Sequence, residues 1–285
     1  MKRFTKKLFG IIVFVIVAVI FCISRLSYFD EKFKHIDGIS VIYVDVGQAD
    51  CEVIMLPNGI NIIIDAGKND TEDELVEKLR GYGIQRFDYV IATHPHEDHI
   101  GGMDKVIDSF EIGCVYMPDA SSNTDTFNNM LNSIENKNVR VVKAKAGVSV
   151  INEENVNMVF VAPNSDKYEE TNNYSAVLKL TYGKRSFLFT GDAESASEKE
   201  MLENGMDIRA DVLKVGHHGS STSSTKDFIK AVNPEYAIIE VGEGNSYGHP
   251  HDEILDVLEG IEIYRTDIHG DITVKCDGVD IKITT

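Results

Sequence analysis

The chain has 285 residues, 43% of them hydrophobic and 26% charged, which excludes a disordered chain, a collagen-like chain and a disulfide mini-protein. It is long enough for one large domain with a thick core, or for two modest ones. Residues 1–29 hold five basic side chains and no acid, so the remainder carries 23 basic against 46 acidic side chains, a formal charge of −23. Such a body is poorly suited to gripping a long phosphate backbone, because that affinity comes from Lys and Arg neutralising phosphates. Tight, extended nucleic-acid binding is therefore not expected, and no protein partner is indicated. Cys51, Cys114 and Cys276 show no C-x-x-C spacing and read as buried thiols.

Leu8–Ile23 is a run of sixteen residues without a charge. As a helix it spans about 24 Å, slightly short of a hydrocarbon core of about 30 Å, and the stems of Lys6 and Lys7 extend it. The basic cluster before it suits a membrane anchor or a secretory signal. No A-x-A-like cleavage site follows; the flank is Ser24-Arg25-Leu26-Ser27-Tyr28. The expectation is an uncleaved N-terminal anchor over 1–29 and a polar linker over 30–38. The N-terminus would lie in the cytoplasm and a single domain over 39–285 outside the cell membrane. Secretion is the alternative.

From residue 39 onward strands and helices interleave. The runs 40–46, 51–56 and 61–67 read as strands separated by turn residues. Thr71-Glu72-Asp73-Glu74 reads as a capping box that opens a helix ended by Gly83. A buried-type strand over 87–93 and a helix over 124–136 follow, then strands near 139–143, 156–161, 175–182 and 185–190. A second capping box, Ser195 to Glu198, opens the next helix. After it come a strand at 211–215, a helix near 223–232, a strand at 235–241, a helix near 252–259, and strands near 261–265, 270–276 and 279–284. Two strand-rich halves, each with its own helices, predict an α/β fold of two facing sheets with helices outside rather than one doubly wound sheet.

The chemistry concentrates in Thr93-His94-Pro95-His96-Glu97-Asp98-His99-Ile100-Gly101-Gly102, directly after a buried strand. In an extended segment alternate residues point the same way, so His94, His96 and Asp98 converge. A helical turn starting at Asp98 swings Asp98 and His99 toward a neighbouring point. Four ligand-type residues in six positions exceed what one tetrahedral ion takes from a single segment. Two divalent metals use them naturally, His94 and His96 on one, Asp98 and His99 on the other. Further candidates stand at strand ends. Asp192 can bridge both ions, one of His217 and His218 can complete the second, and Asp65 can orient a ligand histidine from behind. The segment Tyr247-Gly248-His249-Pro250-His251 can present a histidine to a substrate. His35, His251 and His269 read as structural or surface residues, His269 in a hairpin turn.

His94-Pro95-His96-Glu97-Asp98-His99 resembles the H-x-H-x-D-H signature of the metallo-β-lactamase superfamily. The surrounding segments, Asp45 to Asp50, Asp65-Ala66-Gly67, Asn172 to Ser175, Phe187 to Asp192, Lys214 to Ser220 and Tyr247 to Pro250, are similar to the ComEC-type hydrolase branch over about 39–285. The resemblance implies an αββα sandwich with a metal site at the edge between the sheets. It implies His94 and His96 as ligands of the first metal, Asp98 and His99 of the second, Asp192 as the bridge and His217 as the last histidine, with His218 its near neighbour. Asp65 matches the supporting aspartate, and His249 a histidine that faces substrate. Many members have a further histidine between signature and bridge. This chain has none between His99 and His217. Asn172 or Asn173 lies in that region instead, and an amide oxygen or a water would finish the first site.

The expected function is a metal-dependent hydrolase carrying two divalent ions, zinc or manganese, with Asp98 and His249 in the catalytic machinery. The resemblance implies phosphodiester cleavage, and the acidic body points to a smaller substrate than a long strand. Hydrolysis of a carboxylic ester, thioester or lactone is the alternative within the enzyme class. A surface-displayed binding module that has lost catalysis is the alternative outside it.

Overall fold

A computed structural model describes residues 38–285. The expected anchor, the linker up to residue 37 and His35 lie outside the described residues. Among the described residues, no helix is long and apolar enough to cross a membrane.

The described residues open with β1 (Ile39–Tyr43), β2 (Glu52–Met55), β3 (Asn61–Ile64), β4 (Arg86–Ile91), β5 (Glu111–Met117) and β6 (Arg140–Lys143). A second series follows: β7 (Ser149–Asn152), β8 (Val156–Phe160), β9 (Leu178–Tyr182), β10 (Arg185–Phe189), β11 (Val212–Lys214), β12 (Tyr236–Ile239) and β13 (Glu262–Arg265). The last strands, β14 (Ile272–Cys276) and β15 (Ile281–Thr284), return to the first sheet, whose order is β15-β14-β1-β2-β3-β4-β5-β6. The second sheet runs β13-β12-β11-β10-β9-β8-β7. The two-sheet expectation holds, with one difference: β14 pairs antiparallel with β1, so the C-terminal strands close the first sheet and the halves are not separate in sequence. This pairing covers β1, which would otherwise be an unpaired edge. Strands β5 and β7 were not expected. Gly113 interrupts the apolar run of the first, and the second has only four residues.

Among the described residues the helices are α1 (Glu72–Gly81), α2 (Glu97–Ile100), α3 (Met103–Ser109), α4 (Asp125–Asn136), α5 (Ser195–Glu203), α6 (Lys226–Val232), α7 (Asp252–Val257) and α8 (Thr266–His269). Two-residue alternation divides the core. Phe187 and Phe189 of β10 point between the sheets with Tyr43, Ile54, Phe160 and Leu178. Leu188, on the other face, packs with Met201 of α5, Phe228 of α6 and Ile254 of α7. Neither expected capping box forms. The Thr71 hydroxyl donates to the Lys68 carbonyl (3.1 Å), because a short 3-10 turn over Asn69–Thr71 precedes α1. The Glu198 carboxylate reaches away to accept from the backbone of Ser224 and Thr225. His269 ends the helical turn α8, with Nδ1 against the Arg265 carbonyl (2.8 Å), rather than sitting in a hairpin.

One close approach positions the histidine signature. A Cβ on Gly101 would stand 2.4 Å from the Asn69 nitrogen, and one on Gly102 would stand 2.5 Å from the Ala66 carbonyl oxygen. Both neighbours are backbone, so α2 rests directly on the loop after β3. Gly101→Ala is expected to destabilise the protein by about 1–3 kcal/mol. Gly81→Ala, at the end of α1 with open space around it, should be neutral or stabilising by up to about 1 kcal/mol. Urea midpoints of the two variants check the contrast.

Candidate metal centre

Both sheets have a parallel portion, β3-β4-β5-β6 in the first and β10-β11-β12-β13 in the second. Parallel strands release their following loops at one edge. Asp65 follows β3, the histidine signature follows β4, Asp192 follows β10, His217 and His218 follow β11, and His249 lies in the loop after β12. The architecture thus brings segments more than a hundred residues apart to one place.

The Asp192 carboxylate is the centre. Around its Oδ2 stand four imidazole Nε2 atoms: His99 at 3.2 Å, His217 at 3.6 Å, and His94 and His218 at 3.9 Å. His96 places Nδ1 3.0 Å from His94 Nε2. Asp98 places Oδ2 3.4 Å from His218 Nε2. His217 and His218 both adopt left-handed backbone, with φ of 50° and 53°, an uncommon conformation for such residues. It sends two consecutive rings into the same site. His217 had been expected as the ligand and His218 as the weaker candidate. The structure brings both rings to Asp192, and His218 is the one beside Asp98.

The rear nitrogen of each of these four rings has a partner. His99 Nδ1 meets Asp65 Oδ2 at 2.7 Å, and His218 Nδ1 meets the Glu240 carbonyl at 2.9 Å. A carboxylate and a carbonyl only accept, so both Nδ1 atoms carry the proton. The Thr93 hydroxyl donates to Asp65 Oδ2 (2.5 Å) and is therefore the acceptor for His94 Nδ1 at 3.1 Å. His217 Nδ1 lies 3.0 Å from the Thr222 hydroxyl. With Nδ1 so engaged, Nε2 of His94, His99 and His218 faces Asp192. Nε2 of His99, Nε2 of His218 and Oδ1 of Asp192 are buried without a hydrogen-bond partner, although buried polar groups are nearly always paired. Imidazoles whose Nε2 atoms face carboxylates are the donor set that a divalent cation requires; without the ion the neighbouring carboxylates, against the effect of burial, favour the protonated forms of His99 and His218, and a bound cation would displace those protons. Backing by carboxylates and carbonyls is the usual support for metal-ligating histidines. The residues fit the ions.

Behind the rings lies a cluster that sequence reading missed. Lys214, fully buried, pairs with Asp50 and donates to the Gly191 carbonyl (3.1 Å). Asp50 Oδ1 stands 3.2 Å from His218 Nδ1. Glu240 Oε1 accepts from the backbone N–H of Cys51 (3.1 Å), tying the two sheets together. Glu52, Glu240 and Asp50 form a buried acidic trio. The available signal was a lysine and several acids inside apolar strands. Burial pulls His218 down, but Asp50 and Asp192 outweigh it and raise it to about 10. Burial raises Asp50, but Lys214 and the two histidines outweigh it and bring it to about 2. Burial, then His99, pushes His94 and His96 down and favours their neutral, ligating forms.

The remaining site candidates lie close by. His249 has its ring 5.8 Å from that of His217 and 6.4 Å from that of His218. Burial and His218 lower it to about 4. Asn173 does not offer its oxygen to the histidines: Oδ1 accepts from the backbone of Glu194 and Ser197 at the start of α5. The neighbouring Asn172 keeps Oδ1 buried and without a partner. His251 packs edge-on against His249 at 4.7 Å.

These features have counterparts in known proteins. The model of the metallo-beta-lactamase superfamily matches residues 44–242, and the chain belongs to that superfamily. Its relatives include ComE operon protein 3 of Bacillus subtilis, 30% identical over 251 residues, and competence protein ComA of Neisseria gonorrhoeae, 26% identical over 257 residues. The matches cover 81% and 89% of this chain but 32% and 34% of those proteins, so the chain spans about a third of their length. Among solved structures, the metallo-beta-lactamase fold protein YhfI of Bacillus subtilis superposes with a TM-score of 0.53 at 14% identity, over 80% of this chain and 96% of that one. CmlA, a diiron beta-hydroxylase from Streptomyces venezuelae, gives 0.55 at 14% identity, over 84% of this chain and 54% of its own. Likeness at this identity shows the fold alone. Family membership and the donor set together imply divalent-metal binding and support a metal-dependent hydrolase.

The acidic trio generates a pH prediction. Burial, then Asp50, raises Glu240 to about 8, above an unfolded value of about 4.3. A carboxyl raised on folding contributes stability that is full below its unfolded pKa and is lost as pH rises through its folded pKa. Between about pH 5 and about pH 8 the urea midpoint of the metal-free wild type should therefore fall more than that of Glu240→Gln, which stays neutral.

Proposed function

We propose that the protein is a two-metal phosphodiesterase. The observation that carries this reading is the ring of four Nε2 atoms around the Asp192 carboxylate. The donors can be divided into two sets around Asp192. Asp98, His99 and His218, which converge with ligand atoms within 4.8 Å of one another, would hold one ion, and His94, His96 and His217 would hold the other. His217 then takes the place of the histidine that the interval from His99 to His217 lacks. When bound, divalent ions offset the charge developing on the oxygens of the reacting centre and lower the pKa of a water to about 7.

The chain's own residues supply the rest. Asp98 is partly exposed, and its side chain is held ionised by His218 and His99 against the effect of burial. It accepts a hydrogen bond from the attacking water and orients it. His249 is neutral near pH 7. Gln48 places its amide nitrogen, a donor, 3.5 Å from His249 Nδ1, so the ring carries its proton on Nε2. That N–H binds a non-bridging oxygen of the substrate where negative charge develops. Asp65 keeps His99, and through Thr93 also His94, in the ligating tautomer.

Phosphorus rather than carbon is favoured by the relative named as a competence protein, ComA of Neisseria gonorrhoeae. The −23 body favours short substrates. With manganese or zinc the protein should hydrolyse bis(p-nitrophenyl) phosphate, and a chelator should abolish the activity. Asp65→Asn should lower activity or metal affinity by about 10–100-fold. Turnover of lactones or thioesters with no phosphodiester turnover would replace this reading with acyl hydrolysis.

A further inference from the structure

Of the four rings around Asp192, that of His217 is the least securely backed. Its side chain is 24% exposed, whereas those of His94, His99 and His218 are 2% exposed or less. Its Nδ1 lies 3.0 Å from the Thr222 hydroxyl, and a hydroxyl both donates and accepts. The hydroxyls of Thr222 and Ser220 share a hydrogen bond of 3.1 Å that either can donate. When Ser220 donates it, the Thr222 proton is free to turn to His217 Nδ1. The imidazole proton then sits on Nε2, where it blocks a cation. Thr222 alone therefore does not fix the ligating form of the ring.

A second group reaches the same nitrogen. Glu194 places Oε1 3.5 Å from His217 Nδ1, and a carboxylate only accepts. The separation is longer than an ordinary hydrogen bond; what acts across it is the attraction of the carboxylate charge for an N–H on Nδ1 rather than a lone pair. Two consecutive amides hold Glu194 in place. Asn172 Nδ2 donates to Oε1 (3.2 Å) and Asn173 Nδ2 to Oε2 (3.4 Å). Asn172 Oδ1 stays buried and unpaired, so its donation to Glu194 is what orients that side chain. Among the described residues no lysine or arginine pairs with Glu194, whose ion-pair contact is His217. Glu194 stands at the N-cap of α5, yet its side chain makes no capping bond; Asn173 Oδ1 accepts from Ser197 N–H instead (3.0 Å). The carboxylate is thus free of the structural task that its position suggests.

We propose that Glu194 is a positioning residue for His217. Its carboxylate, fixed by Asn172 and Asn173, holds the ring in the tautomer that keeps the Nε2 lone pair for the ion shared with His94 and His96. The proposal rests on the two-metal reading above, which assigns His217 to that ion, and it names what prepares the ligand. Asn172 and Asn173, in the interval where the further histidine is lacking, thereby serve the histidine that replaces it without ligating themselves.

Cobalt(II) added to the metal-free full chain reports each ion through visible absorption. The wild type should take up two ions, and the band lost in His217→Ala marks the one that His217 holds. Glu194→Gln keeps the size of the side chain and removes its charge. In it that ion should bind about 10–100-fold more weakly, while the ion of Asp98, His99 and His218 keeps its wild-type affinity and so reports an intact fold. Thr222→Val removes the hydroxyl and leaves Glu194, and should weaken the same ion by less than Glu194→Gln does. Wild-type affinity for both ions in Glu194→Gln, an equal loss of both, a larger loss in Thr222→Val, or retention of both ions by His217→Ala would each overturn the proposal. Selective weakening in a protein that hydrolyses no phosphodiester would sink the phosphodiesterase reading and leave the role of Glu194 standing. Two full-strength ions in Glu194→Gln, together with phosphodiester turnover, would do the opposite.

Discussion

A carboxylate sealed at the meeting edge of two sheets, with imidazoles on several sides, is the constraint that organises this molecule. Asp192 is buried and accepts no hydrogen bond at Oδ1. Such a group is costly to keep ionised in a low-dielectric interior, and positive charge must stand against it. The surrounding histidines turn Nε2 toward it, with the Nδ1 protons of His99 and His218 held at the rear, so that a cation, or in its absence a second proton on those rings, answers its charge. The backbone strain at His217 and His218, the tight glycine contacts under α2, and the buried Lys214–Asp50 pair all serve to hold that arrangement.

The support extends in layers. Asp65 itself adopts left-handed backbone, with φ of 55°, and from there holds Thr93, His99 and, indirectly, His94. Asp50 and Glu240 do the same for His218. Because Glu240 follows a strand of the second sheet and bonds the chain beside β2 of the first, the support of the metal centre is also a join between the sheets. Rigid elements and satisfied neighbours are what keep a metal site in productive geometry.

Much of this was legible in the residues. The apolar runs placed most strands, and the dense cluster from His94 to His99 identified the centre because few other chemistries need four ligand-type side chains in six positions. Asp65, Asp192 and His249 stood out at strand ends and the resemblance gave them matching roles; all three lie at or behind the centre. What escaped the sequence depends on tertiary contact. Lys214 meets Asp50 across 164 residues, and no local pattern pairs them. The division between His217 and His218 hangs on two φ angles that a His-His dipeptide does not announce. Asn173 turned out to cap α5, a role that depends on where that helix starts in space. The second capping box failed for the same reason, because Glu198 is taken by the backbone of Ser224 and Thr225, whereas the first gave way to the local turn over Asn69–Thr71.

The most direct test of the central claim is anomalous scattering from crystals of the protein grown with manganese or zinc. The account predicts two peaks per chain flanking the Asp192 carboxylate, about 3.5–4 Å apart, one beside His217 and the other beside His218. A single peak, or both histidines on the same ion, would contradict it.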